Sequence, residues 1–170
     1  MNKKQKIIFR SSIFVNIILA LLIVWVLVNN NFANEQLFFT EVQENLVELE
    51  GLIAHQIDNK WSEPNLVTTK LGDVLNGLNL GLSNGMYLNS ISNKDREFLE
   101  RFSSKLRQYP HDELYALSKL SKEDKEYFEA LRTNLREVGL GLNITIMKDW
   151  KSFISILKAL EERIEVPLNK

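Results

Sequence analysis

Residues 13–28 read Ile-Phe-Val-Asn-Ile-Ile-Leu-Ala-Leu-Leu-Ile-Val-Trp-Val-Leu-Val, with no charge and one polar side chain, Asn16. With Ser11 and Ser12 the stretch is 18 residues long, which as a helix spans about 27 Å. That nearly matches the roughly 30 Å hydrocarbon core of a bilayer. The stretch is therefore expected to be a transmembrane anchor, with Ile13, Ile17, Leu21, Trp25 and Val28 spaced along it. Trp25 falls near the outer interface, where its amphipathic ring is favoured, and Arg10 can snorkel to the inner headgroups. Asn16 reads as a tolerated polar residue near the inner interface.

The charges around the span set its expected direction. Lys3, Lys4, Lys6 and Arg10 precede it with no acid, whereas Asn29–Lys60 holds six acids and one base. Basic residues before a span and none soon after it place the N-terminus in the cytoplasm and the remainder outside. A signal-peptidase site needs small residues at −3 and −1. The best candidate, Asn31-Phe32-Ala33, has Asn where a small residue is wanted, so a retained signal anchor is expected. The chain then divides into a cytoplasmic stub (1–12), the anchor (13–28), an extracytoplasmic domain (29–165) and a tail (166–170).

The 142 residues after the anchor suffice for one domain with its own core. The chain has no cysteine, which excludes disulfides, iron–sulfur clusters and cysteine zinc sites. No basic domain is present, so nucleic acid is excluded as a partner.

Apolar periodicity makes this domain helical. Phe39, Val42, Leu46, Leu49 and Ile53 recur at steps of three and four, a heptad-like stripe. Its register extends back to Phe32, Val28 and Trp25, so one helix can run from membrane into domain and can support a homodimer through this leading helix. Trp61-Ser-Glu-Pro64 breaks the pattern, with Ser62 able to cap and Pro64 tolerated in a first turn. A second helix follows from Leu66 to Met86, with Gly77, Gly81 and Gly85 on one face. Ser92-Asn-Lys-Asp95 and Ser121-Lys-Glu-Asp124 read as capping-box starts of further helices. Pro110 opens a short connecting helix from His111 to about Leu120. From Phe128 to Leu160 the steps of three and four persist, predicting either one long helix to about Ile164, returning toward the membrane, or two helices broken at Gly139 and Gly141 or near Asp149. The expected fold is all-α: one N-terminal transmembrane helix, then an up-and-down antiparallel bundle of about four main helices plus a short connecting one.

Catalytic motifs are weak. Gly81-Leu-Ser-Asn-Gly85 matches a nucleophile elbow, which works only on a strand-to-helix turn above a parallel sheet; no strand–helix alternation builds one. His111, Asp112 and Glu113 would point about 100° apart on a helix and do not converge on a metal. With two histidines and no cysteine, no cofactor or metal is expected.

Three features remain as candidate surfaces. Glu41, Glu44 and Glu48 form an acidic stripe on the first soluble helix, a candidate docking face. Gly77, Gly81 and Gly85 allow close helix packing or, with Trp61 and Trp150, could line a pocket. In layout the chain is similar to the extracytoplasmic bundles of bacterial chemoreceptors and sensor kinases, but those carry a second span and a cytoplasmic output domain that this sequence does not show. The leading expectation is a non-enzymatic, membrane-tethered module that contacts a protein partner in the envelope. A small-molecule-sensing bundle acting through a separate membrane partner is the alternative, and a hydrolase using Ser83 is the remote one.

Overall fold

The computed structural model describes residues 2–111, 119–145 and 148–165. Among the described residues the fold is all-α. Six α-helices follow in order: α1 (Lys3–Phe38), α2 (Asn45–Asp58), α3 (Asn65–Leu88), α4 (Asn93–Leu106), α5 (Lys122–Glu137) and α6 (Trp150–Arg163). A π-helical segment, Phe39–Glu44, joins α1 to α2 without a break. The leading helix therefore runs from Lys3 to Asp58, 56 residues, or about 84 Å.

Two environments divide this helix. Its apolar N-terminal half is exposed along its length, including Ile13, Ile17, Leu21, Trp25 and Val28. It is the one described helix long and apolar enough to cross a membrane. The structure thus supports a single-span anchor rather than a core helix. From Asn34 onward the same helix is the centre of a bundle. Phe39, Val42, Leu46, Leu49 and Ile53 are all buried, as their spacing predicts.

The π segment adds something that periodicity does not show. One extra residue in a turn shifts the helical face. Phe38, the last residue of α1, and Phe39, the first of the π segment, both lie in the core. Phe38 packs against Trp150 and Phe153, with ring centroids 5.2 and 5.8 Å away. Phe39 meets Phe153 edge-on at 5.8 Å.

Helix α3 descends beside this segment on its glycine face. A Cβ on Gly77 would overlap the Glu41 carbonyl, and one on Gly81 would lie 2.5 Å from the Phe38 ring. At Gly85 the Ile91 side chain fills the same space. Asn45 Nδ2 donates to the Glu41 carbonyl at 2.8 Å, so the carbonyl facing Gly77 is satisfied despite the crowding. Asn89, in the left-handed region at φ 51°, ends α3, and Ser90 N–H donates back to the Gly85 carbonyl at 3.0 Å, a Schellman closure.

Contacts fix the directions of the remaining helices. Trp150 Nε1 reaches Asp95, and Arg101 and Lys105 reach Glu161, so α4 and α6 both ascend away from the span. Helix α5 descends against α2: Phe128 lies by Trp61 near the top and Arg136 by Glu50 lower down. Among the described residues four further helices pack with the leading helix. Ser92 and Ser121 cap α4 and α5 through the Asp95 and Asp124 amides, as expected.

One alternative is decided and two expectations change. Of the two readings of residues 122–164 the structure has two helices, because Gly139 at φ +91° and the Leu140 N–H bond to the Leu135 carbonyl at 2.8 Å close α5 at a Schellman turn. Helix α6 restarts on the side chain of Asp149, which accepts from Ser152 N–H at 2.9 Å, and it climbs away from the span instead of returning to it. Ser62 does not cap α3: Pro64 holds the N-cap position, and Gln56 Oε1 accepts from Glu63 N–H at 2.9 Å. The expected short helix from His111 to Leu120 lies mostly outside the described residues.

The glycine packing can be tested against helix propensity. Ala is favoured over Gly in a helix by about 1 kcal/mol, so a tolerated Gly→Ala change stabilises. Gly77→Ala is expected instead to destabilise by about 1–3 kcal/mol through overpacking, measured by thermal unfolding in nanodiscs. Asn84→Ala, on the exposed face of the same helix, is expected to be neutral or mildly stabilising.

Candidate functional site

The most constrained polar group in the bundle is Glu50. It belongs to the buried face of α2, four residues after Leu46 and three before Ile53, and is 1 % exposed. Arg132 Nε and Arg136 Nη1 donate to its Oε1 at 3.0 and 3.1 Å. Leu142 N–H donates to its Oε2 at 3.0 Å. Both oxygens of the carboxylate are thus engaged, one by two cations from α5 and the other by a loop amide. Burying a carboxylate costs several kcal/mol unless it is paired in this way.

The consequence is a strapped loop. After Gly139 turns the chain out of α5, the Glu50 contact holds the backbone at Leu142 against α2. The Leu142 side chain lies across Gly51, where a Cβ would approach its Cδ2 to 3.1 Å. Even so, Leu142 remains 57 % exposed and Ile144 40 %. A buried ion cluster therefore positions a short loop that shows two aliphatic side chains to the outside. Sequence reading missed Glu50 by counting it with the surface acids. The available signal was its place on the Leu46–Ile53 stripe, where a charge demands a partner.

The acidic stripe is partly committed inside the chain. Glu48 pairs with Lys70 at 2.8 Å, and Glu44 pairs with Lys148. Lys70 also reaches Asp73 at 3.2 Å. Burial pulls its ammonium down, but hydrogen bonds and charge from Glu48 and Asp73 prevail and hold it above its ordinary value. Glu41 is exposed.

The glycine face and the two tryptophans do not assemble into a pocket. Gly77 and Gly81 are filled by the leading helix. Trp150 sits by Phe38, and Trp61 by Phe128 with its Nε1 donating to Glu129 at 3.3 Å. Those positions lie at opposite ends of the bundle, about 30 Å apart along the leading helix. Gly85 does border a small cleft of about 130 Å³ with Met86 and Arg96. A groove of about 550 Å³ between α4 and α6 is charged and open, lined by Glu97, Glu100, Arg101, Ser104, Lys105 and Glu161. Ser83 is exposed within α3, not on the strand-to-helix turn that a nucleophile elbow requires. Among the described residues no three His, Asp or Glu side chains group to hold a metal.

Near the base of the bundle, burial first and then the charge of Asp149 push the Glu35 carboxyl above its ordinary value. Such a group binds its proton more tightly folded than unfolded. Its contribution is fully present below the unfolded value of 4.5 and is lost as pH rises through the raised folded value. Glu35→Gln is therefore expected to stabilise the protein at neutral pH and to abolish that loss, read as the difference between variant and wild-type melting temperatures across pH 4 to 7 (roughly the window of carboxylate titration).

Truncating Glu50 tests the strap. Glu50→Ala leaves Arg132 and Arg136 half-exposed rather than fully buried, so a loss of about 2 kcal/mol is expected, below the range for a fully buried pair. Hydrogen exchange should accelerate at the Leu142 amide in particular; an unchanged rate there would contradict the strap.

No protein-family model, no curated protein and no solved structure matches this chain, so its function must be read from its own geometry.

Proposed function

We propose that this protein is a membrane-anchored, extracytoplasmic helical module that works by contact with another protein of the cell envelope, and that it is not an enzyme. The observation that carries this reading is the continuity of the leading helix. The segment expected to span the bilayer passes without interruption into the helix around which the bundle packs. A fold held this way keeps one orientation to the membrane and confines its partner search to the membrane surface, raising effective concentration.

The loop strapped by Glu50 is the best-prepared contact surface. Leu142 and Ile144 are exposed while the backbone beneath them is fixed, so presenting them to a partner costs little ordering entropy. Glu41, beside the internally paired Glu44 and Glu48, gives the neighbouring face an acidic character suited to a basic rim on that partner. The charge asymmetry around the span supports a cytoplasmic N-terminus and an outward bundle. A helix that continues through Asn31-Phe32-Ala33 supports retention of the anchor.

Two measurements test this. A Ser62→Cys variant should react with a membrane-impermeant maleimide in intact cells; protection until the membrane is opened would reverse the topology. A photo-crosslinking residue placed at Leu142 or Ile144 should yield a discrete adduct in intact membranes, lost on Glu50→Ala. Adducts at Glu97 or Ser104 with none at the loop would move the contact surface to the α4–α6 groove.

A further inference from the structure

The membrane-proximal rim of the bundle carries apolar side chains that the core does not use. Tyr87 is 90 % exposed, Met86 54 % and Phe32 61 %. Tyr87 and Met86 occupy the last turn of α3, immediately before the left-handed closure at Asn89, so they sit on a fixed element.

Their height above the bilayer follows from the glycine register. Along α3, Gly77 meets Glu41 and Gly81 meets Phe38, while a Cβ on Gly85 would come 3.2 Å from Asn34 Nδ2. Each step down α3 is thus a step toward the span. Two residues beyond Gly85, Tyr87 comes level with about Phe32 on the leading helix. Phe32 is four residues past Val28, a rise of about 6 Å. The interfacial layer on each side of a bilayer is about 5–8 Å deep, half the difference between its full and hydrocarbon thickness. The end of α3 therefore falls within the headgroup layer when Ile13–Val28 fills the core.

The neighbouring helix starts suit the same layer. Lys94 lies in the first turn of α4 and Lys151 in the first turn of α6, both exposed. The Trp150–Asp95 contact holds those two turns together at this end. Lysine ammonium groups complement lipid phosphates, and tyrosine is favoured where one end of its ring is apolar and the other wet.

We infer that the base of the bundle rests in the lipid headgroups of the membrane that holds its own anchor, with Tyr87 and Met86 inserted at the interface and Lys94 and Lys151 beside the phosphates. This contact makes the bundle a seated body with a set tilt, not a head swinging above the surface. It rests on the anchor reading and goes beyond it, since an anchored bundle could equally stand clear of the lipid.

The absence of cysteine permits a direct test. Single variants Tyr87→Cys, Ile17→Cys and Ser62→Cys of the full chain are spin-labelled in nanodiscs of phosphatidylcholine and phosphatidylglycerol. Collision with oxygen, which favours the lipid, is compared with collision with a water-soluble nickel chelate. The Ile17 label should report the hydrocarbon core and the Ser62 label open water. The Tyr87 label is expected at the interface, with nickel accessibility about threefold or more below that of the Ser62 label because the headgroup layer excludes the chelate. Equal nickel accessibility at the two positions, with the Ile17 label in lipid, would overturn the seating while leaving the anchor intact. A water-exposed Ile17 label would overturn both.

Discussion

Gly77 and Gly81 let the backbone of α3 come against the leading helix at the point where that helix changes from α to π. Larger side chains at either position would collide with the Glu41 carbonyl or the Phe38 ring. Close approach sets α3 against Glu41 and Phe38, and Phe38 and Phe39 share the space where α6 delivers Phe153. The two irregularities are complementary. Glycines cost helix propensity, but here they let α3 approach closely enough to cover Phe38 beside the π segment, where Phe38 and Phe39 are both buried. The position of α6, and with it the Trp150 contact to α4, follows from that seating.

A second constraint governs the opposite face. Glu50 is buried among apolar neighbours and is held by two arginines and one amide. Replacing such a cluster with well-packed hydrophobic residues is often neutral or stabilising. Its presence therefore points to placement more than to stability: the cluster specifies where α5 lies against α2 and where the chain beyond Gly139 must go. The result is a loop that would otherwise be unsupported, fixed with Leu142 and Ile144 facing outward.

Much of this architecture is legible in the residues themselves. The stripe from Phe39 to Ile53 is a strong helical signal because every member is apolar and evenly spaced, and the serine starts at Ser92 and Ser121 are local chemistry that tertiary structure left alone. The π segment is not legible, since adjacent Phe38 and Phe39 both fit the wide apolar face of an ordinary bundle helix. Residues 122–164 stay ambiguous for a related reason. The apolar steps across Gly139 remain in helical register even though the glycine ends the helix, so periodicity cannot distinguish a continuous helix from a turn. Glu50 escapes notice because an acid in an acidic segment looks like part of a solvated face. The three glycines are legible as one helix face, but not that the leading helix itself occupies the space beside Gly77 and Gly81.

What unites these features is a continuous helix linking span to bundle through residues 29–38. The most direct measurement is a distance between spin labels at Val28→Cys and His55→Cys of the full chain in nanodiscs, read by double electron–electron resonance. A single helix through the π segment predicts a narrow distribution near 40 Å, from about 1.5 Å of rise per residue. A broad distribution or a markedly shorter distance would show a hinge between membrane and bundle and would contradict the rigid coupling on which both the proposed contact surface and the seated base depend.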